Sequence, residues 1–293
     1  MLKKTISIIA FFIFSQTSVA AVDTKAWSSL LSKHVNINGG VNYVGLNKDF
    51  DKLSSFIKGY EDFSPKGMTD NEKKAAYINL YNAAMIYNIL IYAKSKSIDT
   101  SSKEFTALEI NEISVEGGNI WSGEMKVNFG GIAVNLDNIE HDLIRGGAKG
   151  KLEKFKVSKL DPRIHAAVNC AALSCPRVRE IAYTSENINK MLDENMKEFL
   201  TSESQFKMVE KDKLRANSIV FWYYPDFDDY AQNTLKLKGA GDYLSTFIND
   251  SKKYANLITH LKANFNDRSR FSLKLSSSFD FKYNWIINDI RNK

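Results

Sequence analysis

The sequence predicts an α+β protein that is predominantly helical, with a few short antiparallel strands or hairpins, folded as a single compact domain. Three observations lead to this prediction. Apolar residues recur at helical spacing in several segments, and two short apolar runs flank Gly130-Gly131. The 293 residues also have a globular composition, 44% hydrophobic and 25% charged. Such values exclude collagen-like, low-complexity and wholly disordered chains.

The N-terminal segment predicts a secretory signal peptide over residues 1–20. Lys3 and Lys4 form a short positive region, the apolar run 8–14 follows, and Ala20 is a small residue at the expected cleavage point. That run is shorter than the roughly 20 residues of a spanning helix. We therefore expect an exported protein, periplasmic or extracellular, with one globular domain over residues 21–293 and no membrane span after cleavage.

The first elements of the domain are two amphipathic helices with a short strand between them. The apolar stripe of one helix begins at Trp27, and that of the other begins at Phe50. The strand is predicted over residues 41–44. His34 falls within the first stripe, and we expect it to be a packed residue rather than a ligand.

The longest helix is predicted over about residues 70–94, where Thr69 and Glu72 form a capping box at its start. Its centre is apolar on nearly every face, which is typical of a buried helix. Asn79 and Asn82 lie one turn apart in that centre, so their amides must find hydrogen-bond partners. Either they pin a neighbouring loop or they line a functional site.

A β-hairpin centred on Gly130-Gly131 precedes the next predicted helix. Asp137 and Glu140 have the spacing of a capping box at the start of that helix. His141 lies in its first turn, near the positive end of the helix dipole. A neutral ring is favoured there, able to act as a base or a ligand.

A second histidine-bearing helix opens at Asp161-Pro162, with Asp as the cap and Pro at the first helical position. It carries His165 in a placement like that of His141. It is predicted to run towards Cys170 and to stop before Cys175-Pro176, because the residue before a proline disfavours helix.

The rest of the chain continues the mixed pattern. Residues 146–159 are the only plausible linker, and the helices on either side of it look coupled, so one domain is predicted. The remaining elements are a helix capped by Thr184, strands over 206–209 and 214–223, helical stretches over 240–249 and 252–265, and an aromatic stretch over 279–285.

Cys170 and Cys175 are the only cysteines, and three interpretations of them stay open. In an oxidising compartment the pair favours a disulfide. Together with His141 and His165 the pair completes a Cys₂His₂ set, although the spacing matches no standard zinc pattern. The third interpretation is a Cys170 nucleophile with a histidine base, for which His141 is geometrically better placed than His165.

Three blocks follow one another along the chain. They are AYINLYNA at 76–83, LDNIEHDLIR at 136–145, and DPRIHAAVNC at 161–170 with Ser174-Cys175-Pro176. These blocks resemble the signature blocks of the family called domain of unknown function 547, and Tyr283-Asn284-Trp285 resembles its closing block. The resemblance covers about residues 41–288, and Tyr77 replaces the usual tryptophan of the first block.

The resemblance supplies no reaction, but it bears on the cysteines. Plant relatives carry Ser at the position that matches Cys175, so the resemblance implies that a disulfide is not the family's reason for Cys170. It favours Cys170 as part of a functional unit with a histidine, or as a plain buried thiol.

The leading hypothesis is a thiol-dependent, hydrolase-like enzyme that performs acyl transfer, such as amide cleavage, on a small-molecule or peptide-like substrate. Cys170 is the expected nucleophile and His141 or His165 the expected base. The asparagines of this set orient the base or donate to an oxyanion, and the arginines hold an acidic substrate group. The expected orienting or substrate-binding residues are Asn79, Asn82, Asn169, Arg163, Arg145 and Glu140.

Two alternatives accompany that hypothesis. One is a non-catalytic envelope or binding protein with a buried polar network and a Cys170–Cys175 disulfide, and the other is a Cys/His metal-binding module. No cofactor and no nucleic-acid partner are predicted. The net charge of +6 is spread along the chain, whereas nucleic-acid binding needs basic residues concentrated on one face with stacking aromatics.

Overall fold

The computed structural model describes residues 22–210, 213–269 and 279–293, and it confirms a mainly helical α+β fold. The predicted signal peptide lies outside the described residues. The α-helices are α1 Thr24–His34, α2 Tyr43–Lys48, α3 Phe50–Lys58, α4 Asp70–Ser95, α5 Lys103–Thr106, α6 Ile188–Thr201, α7 Ile219–Trp222, α8 Tyr224–Asp229, α9 Ala240–Ser245 and α10 Ala255–Phe265.

The strands are short and form three small sheets. β1 and β2 pair antiparallel, as do β3 and β4, and the third sheet has the order β5-β6-β7 with β6 and β7 parallel. The hairpin predicted at Gly130-Gly131 is confirmed as β3–β4. The strand bounds are β1 Ser114–Val115, β2 Gly118–Asn119, β3 Val127–Phe129, β4 Ile132–Val134, β5 Phe206–Glu210, β6 Lys213–Asn217 and β7 Phe279–Lys282.

Two predicted strands are wrong in part, and in both places an asparagine side chain starts a helix instead. The side chain of Asn42 accepts a hydrogen bond from the Gly45 N–H and caps α2, so the predicted strand 41–44 is reduced to single bridges at Val41. The side chain of Asn217 accepts from the Ile219 N–H at 2.9 Å, which ends β6 and opens α7. These bonds offer the backbone an alternative to continuing the strand.

Helix α4 is the central element of the larger core, as its apolar centre predicts. The Thr69–Glu72 capping box is present at its start. Buried apolar residues form two clusters, one built around α1, α3 and α4 and the other around α6 to α10. Tyr283 packs against both clusters, so it marks the place where they meet.

The helix that carries Glu140 and His141 is a π-helix, Asn138–Ile144, with a different cap from the predicted one. Asp137 makes no side-chain capping bond. Asn135 and Asn138 instead bond reciprocally, each amide oxygen accepting from the other's backbone N–H, at 2.9 and 3.2 Å. The cap lies two residues earlier than predicted because Asn135 is an equally good capping residue.

The helix opened by Asp161 is a short 3₁₀-helix, Pro162–Ala166, and does not reach Cys170. Asp161 accepts from the Arg163 N–H, as a cap should. The chain leaves the helix because Asn82 of α4 binds its next turn, accepting from the Asn169 N–H at 2.8 Å and donating to the Ala167 carbonyl at 3.0 Å.

The last segment after β7 runs back between the N-terminal helices and the cysteine loop. Val41 bridges to Asp289, and Ala172 bridges to Ile287. The Tyr43 hydroxyl donates to the Asn288 side chain at 2.9 Å. Within the described ranges no helix is long and apolar enough to cross a membrane.

Candidate functional site

A cavity of about 290 Å³ brings several of the predicted residues together. Its walls come from the π-helix, the 3₁₀-helix, the cysteine loop, α7 and the C-terminal segment. It is lined by Tyr81, Asn119, Trp121, Asp137, Glu140, His141, His165, Val168, Cys170, Cys175, Ile219, Trp222, Tyr223, Tyr283 and Trp285.

Cys170 and Cys175 form a disulfide, with their Cα atoms 6.2 Å apart. A sulfur in a disulfide has no thiolate, so Cys170 does not act as the predicted nucleophile while the bond is intact. For the same reason the Cys₂His₂ metal set does not form. Among the described residues, no group of three or more His, Cys, Asp or Glu side chains could hold a metal ion.

The disulfide lies under the hydroxyl of Tyr283. That oxygen is 2.9 Å from the Cys170 sulfur and 3.1 Å from the Cys175 sulfur, and neither sulfur carries a hydrogen, so the phenol is the donor. The Cys175 sulfur also accepts the backbone N–H of Cys170 at 3.0 Å. Burial raises the pKa of Tyr283 well above its usual value, with a further contribution from Glu140. The phenol therefore keeps its proton and stays a donor.

Buried asparagines hold the backbone on either side of Cys170. The Asn169 side chain accepts from the Ala171 N–H at 2.8 Å and from the Asn288 amide at 3.0 Å, and it donates to the Pro176 carbonyl at 2.7 Å. Ala171 has a φ of +61°, a left-handed conformation that is unusual for a non-glycine residue. These bonds hold the cysteine loop in this conformation.

His165 is fully buried and lines the cavity. Its Nε2 lies 2.8 Å from Asp226 Oδ2, so Nε2 carries the proton and donates to the carboxylate. Nδ1 is buried and has no partner. Burial lowers the pKa of His165 despite the bond to Asp226. The ring is therefore neutral and its Nδ1 carries no proton, which is the protonation state that a general base requires.

Asp226 joins the two predicted histidines through Arg145. Arg145 makes two parallel bonds to this carboxylate, at 2.8 and 2.9 Å, and its third nitrogen lies 2.8 Å from Nδ1 of His141. Burial alone would raise the pKa of Asp226, but the bonds from His165 and Arg145 lower it to about 2. The sequence predicts that Arg145 holds an acidic substrate group. In the structure its guanidinium instead binds Asp226 and keeps that carboxylate ionised.

Glu140 is the second anionic element of the site. Its carboxylate accepts the Tyr223 hydroxyl at 2.6 Å, and the ring of Tyr223 stacks on His165 with centroids 3.7 Å apart. Tyr223 therefore links the carboxylate to the histidine. Asp137 lies on the rim, where partial burial raises its pKa against the opposing effect of His141.

Of the six predicted orienting or substrate-binding residues only Glu140 lines the cavity, and the other five, Arg145 among them, do not. Asn79 bonds both backbone groups of Tyr183, and Asn82 and Asn169 hold the cysteine loop as described above. Their amides pin neighbouring loops, the first of the two alternatives offered by the sequence. Arg163 forms ion pairs with Asp161 and Asp193, and Asp161 also binds the buried Lys74.

A larger cavity, about 510 Å³, lies on the other side of the cysteine loop. Arg177, Arg179 and Lys293 line it, and Cys175 is shared with the smaller cavity. Neither histidine reaches it. The smaller cavity is therefore the candidate site, because it contains the histidines, both sulfurs and Glu140.

Sequence reasoning missed the residues that complete the site. Tyr223 and Asp226 lie in a segment predicted to end a strand, and no local spacing links them to His165. Tyr283 and Trp285 do carry a signal, since both lie within the stretch that resembles the closing block of the family. Nothing in their spacing indicates that they cover the disulfide.

Residues 65–200 match the family described as Protein of unknown function, DUF547. The resemblance is confirmed over this range. The matched range contains His141, His165, both cysteines and Glu140. Three other residues of the site lie beyond it: Tyr223, Asp226 and Tyr283. No curated protein and no solved structure matches the chain significantly.

Proposed function

We propose that this chain performs thiol–disulfide exchange in the cavity, with Cys170 as the sulfur that a substrate thiolate attacks. The observation that carries the proposal is the pair of donors on the Cys175 sulfur, the Cys170 N–H at 3.0 Å and the Tyr283 hydroxyl at 3.1 Å. Both donors stabilise a negative charge on Cys175. Exchange is faster when the departing sulfur is the better-stabilised thiolate.

The exposure of the two cysteines also favours attack on the Cys170 sulfur. Cys175 is only 1% exposed, whereas Cys170 is partly exposed. A substrate in the cavity therefore reaches Cys170, and the charge moves to the buried Cys175. Tyr283 lies within 3.1 Å of both sulfurs, so its proton can follow the charge from one sulfur to the other.

The reaction balances with a dithiol as the reductant. Nδ1 of His165 accepts the proton of the first substrate thiol. The resulting thiolate forms a bond to the Cys170 sulfur, the Cys170–Cys175 bond breaks, and its electron pair stays on Cys175. A second substrate thiolate then attacks the substrate sulfur of this mixed disulfide and releases Cys170 as a thiolate. The substrate leaves as a disulfide and the chain is left with two reduced cysteines.

The predicted export fits this chemistry. Disulfides persist in oxidising compartments, and a periplasmic or extracellular protein meets thiol-bearing small molecules and unfolded peptides there. The substrate class that we propose is the small-molecule or peptide-like class predicted from the sequence.

The second candidate is the acyl transfer predicted from the sequence, performed by the reduced form. The specific observation in its favour is the His165–Asp226 pair, in which the carboxylate orients a neutral ring with Nδ1 free. Once the disulfide is reduced, Cys170 supplies the nucleophile and His165 the base. His141 is less suited to this role, because Arg145 occupies its Nδ1.

Three variants test both candidates. Oxidised wild-type protein should react with dithiothreitol faster than oxidised glutathione does. Tyr283→Phe should slow that reaction about tenfold or more, since a hydrogen bond to a charged group is worth about 1.5–3 kcal/mol. Cys175→Ser should form a stable mixed disulfide with glutathione at Cys170, seen by intact mass, while Cys170→Ser should be inert.

The same variants separate exchange from acyl transfer. If the second candidate is right, Cys175→Ser and the reduced wild type hydrolyse p-nitrophenyl acetate, and Cys170→Ser does not. If exchange is right, none of the three shows hydrolysis above the uncatalysed rate. A disulfide no more reactive than that of glutathione, unaffected by Tyr283→Phe, contradicts the exchange proposal and leaves the binding-protein alternative.

A further inference from the structure

Aromatic rings form much of the cavity wall. Three of the chain's four tryptophans line it, together with three tyrosines. Several rings contact one another: Trp222 stacks on Trp285 with centroids 5.7 Å apart, and Tyr283 lies 4.3 Å from Trp285. Trp222 is 44% exposed, so this wall is open to a ligand from solvent. Such clustered ring faces attract cations, tryptophan most strongly.

Apart from His141 and His165, the ionisable groups of the cavity wall that carry a formal charge at neutral pH are acidic. Asp137 and Glu140 line the cavity, and within the described part of the chain no lysine or arginine does. Arg145 lies nearby, but its guanidinium is bound to Asp226 by two hydrogen bonds. This local excess of negative charge runs against the net charge of +6 of the whole chain.

An acceptor without a donor completes the pattern. Nδ1 of His165 is buried and unpaired, and Nε2 already donates to Asp226, so Nδ1 is a lone pair that lacks a hydrogen. A ligand with a hydrogen to donate would satisfy this acceptor. The ring faces and the carboxylates favour a ligand with positive charge, and this nitrogen favours a ligand that also carries an N–H, S–H or O–H hydrogen.

We propose that the cavity selects organic ammonium compounds, and that the thiols that reduce the disulfide carry a cationic amino group near the sulfur. The thiol half of this proposal rests on the exchange reaction proposed above. The recognition of the ammonium group rests only on the cavity wall. A neutral apolar ligand and an anionic thiol are the competing occupants.

The test measures how fast the oxidised protein reacts with three small thiols of different charge. The thiols are cysteamine, 2-mercaptoethanol and thioglycolate, and each rate is divided by the rate of the same thiolate with oxidised glutathione. We expect cysteamine to exceed thioglycolate by about tenfold or more, given one favourable carboxylate and several rings. Long-range attraction to a chain of charge +6 predicts the opposite order. Equal rates or a faster thioglycolate reaction overturn the proposal.

Matched variants locate the preference in the cavity. Asp137→Asn should reduce the preference for cysteamine several-fold, whereas Asp51→Asn, the same change on the exposed surface of α3, should not. Trp222→Leu should also weaken the preference, by about threefold or more. Its control is Phe221→Leu, because Phe221 is the neighbouring exposed aromatic on α7 and does not line the cavity. Equal effects in variant and control overturn the assignment.

Direct binding distinguishes failure of this inference from failure of the exchange reaction. Choline and its neutral isostere 3,3-dimethyl-1-butanol are titrated into the oxidised full chain while tryptophan fluorescence is recorded. Trp27 is buried, stacked on Phe56, so a change reports the other three tryptophans. Choline binding that the isostere does not reproduce supports ammonium recognition even if no thiol reacts. Equal binding of both, or of neither, overturns it.

Discussion

Two buried histidine–carboxylate pairs with nearly identical geometry occur at different places in this molecule. His34 and His165 each place Nε2 2.8 Å from an aspartate oxygen, of Asp49 and Asp226 respectively, and each leaves Nδ1 buried without a partner. The distances within the two pairs do not distinguish them. The residues around each pair differ, and these residues decide which pair is accessible to a ligand.

The His34 pair faces the surface on one side and a helix on the other. Asp49 also binds Lys33 and Lys52, both well exposed, and these bonds and that of His34 hold its pKa below the usual range. A side chain on Gly45 would place its Cβ 2.5 Å from Nδ1 of His34, so the backbone of α2 lies against this nitrogen. No ligand can approach it there.

The His165 pair lies at a cavity, and its aspartate is held by a single, largely buried arginine. The side chain of Asp226 is 10% exposed and that of Arg145 is 28% exposed. A histidine–aspartate pair is therefore weak evidence of function by itself. A cavity lined by the histidine and a largely buried counter-charge on the carboxylate are the features that distinguish the two.

The largest expected effect is the loss of stability caused by Asp226→Asn. The change removes the counter-charge of Arg145, and breaking a buried pair in this way should lower the free energy of unfolding by about 3 kcal/mol. Asp49→Asn is the matched change in the other pair, and it should cost much less because its lysines stay in water. Urea unfolding followed by tryptophan fluorescence measures both, and equal losses would show that the surroundings do not matter.

Gly45→Ala should have an intermediate effect confined to the His34 pair. The new methyl group meets the imidazole of His34, and overpacking of this kind costs about 1–3 kcal/mol. The rate at which dithiothreitol reduces the disulfide in the folded protein should not change. A slower or faster reduction would mean that the two regions are coupled.

The smallest expected effect is on the pH dependence of stability between pH 7.5 and 5.5. Burial lowers the pKa of His165 in the folded state, so the unfolded chain binds this proton first and stability falls as the pH drops below about 6.5. The contribution of Asp226, whose pKa is lowered to about 2, is retained above pH 4 and lost only below it. His165→Gln should make the free energy of unfolding depend less on pH between 7.5 and 5.5 than it does in the wild type. An unchanged slope in this variant would contradict a neutral, buried His165.

Helices and strands whose own residues form a clear pattern could be predicted from the sequence. The capping box and apolar centre of α4 gave its bounds to within a residue, and Gly130-Gly131 gave the β3–β4 hairpin. Spacing does not show which of two suitable residues caps a helix. Asn135 and Asp137 are such a pair at the start of the π-helix. Tertiary contacts also override local preference, since Asn82 ends the helix of His165 early.

The site itself was predictable only in the parts that lie close together in sequence. His141, His165, Cys170 and Glu140 fall within two neighbouring blocks, and the cavity contains all four. The partner of His165 is 61 residues away and Tyr283 is 113 residues from Cys170, distances at which sequence spacing carries no information. The state of the cysteines also depends on these distant groups, which is why three interpretations stayed open.

The return of the last segment to the N-terminal helices has a consequence for the order of folding. Tyr43 and Asn288, which meet through a hydrogen bond, are 245 residues apart, and closing so long a loop is slow. The two cysteines are only five residues apart and can pair much earlier. We therefore expect the disulfide to form before the final segment docks, and Tyr283 to cover it only at that point. The rate at which the disulfide is reduced should then report whether the final segment has docked.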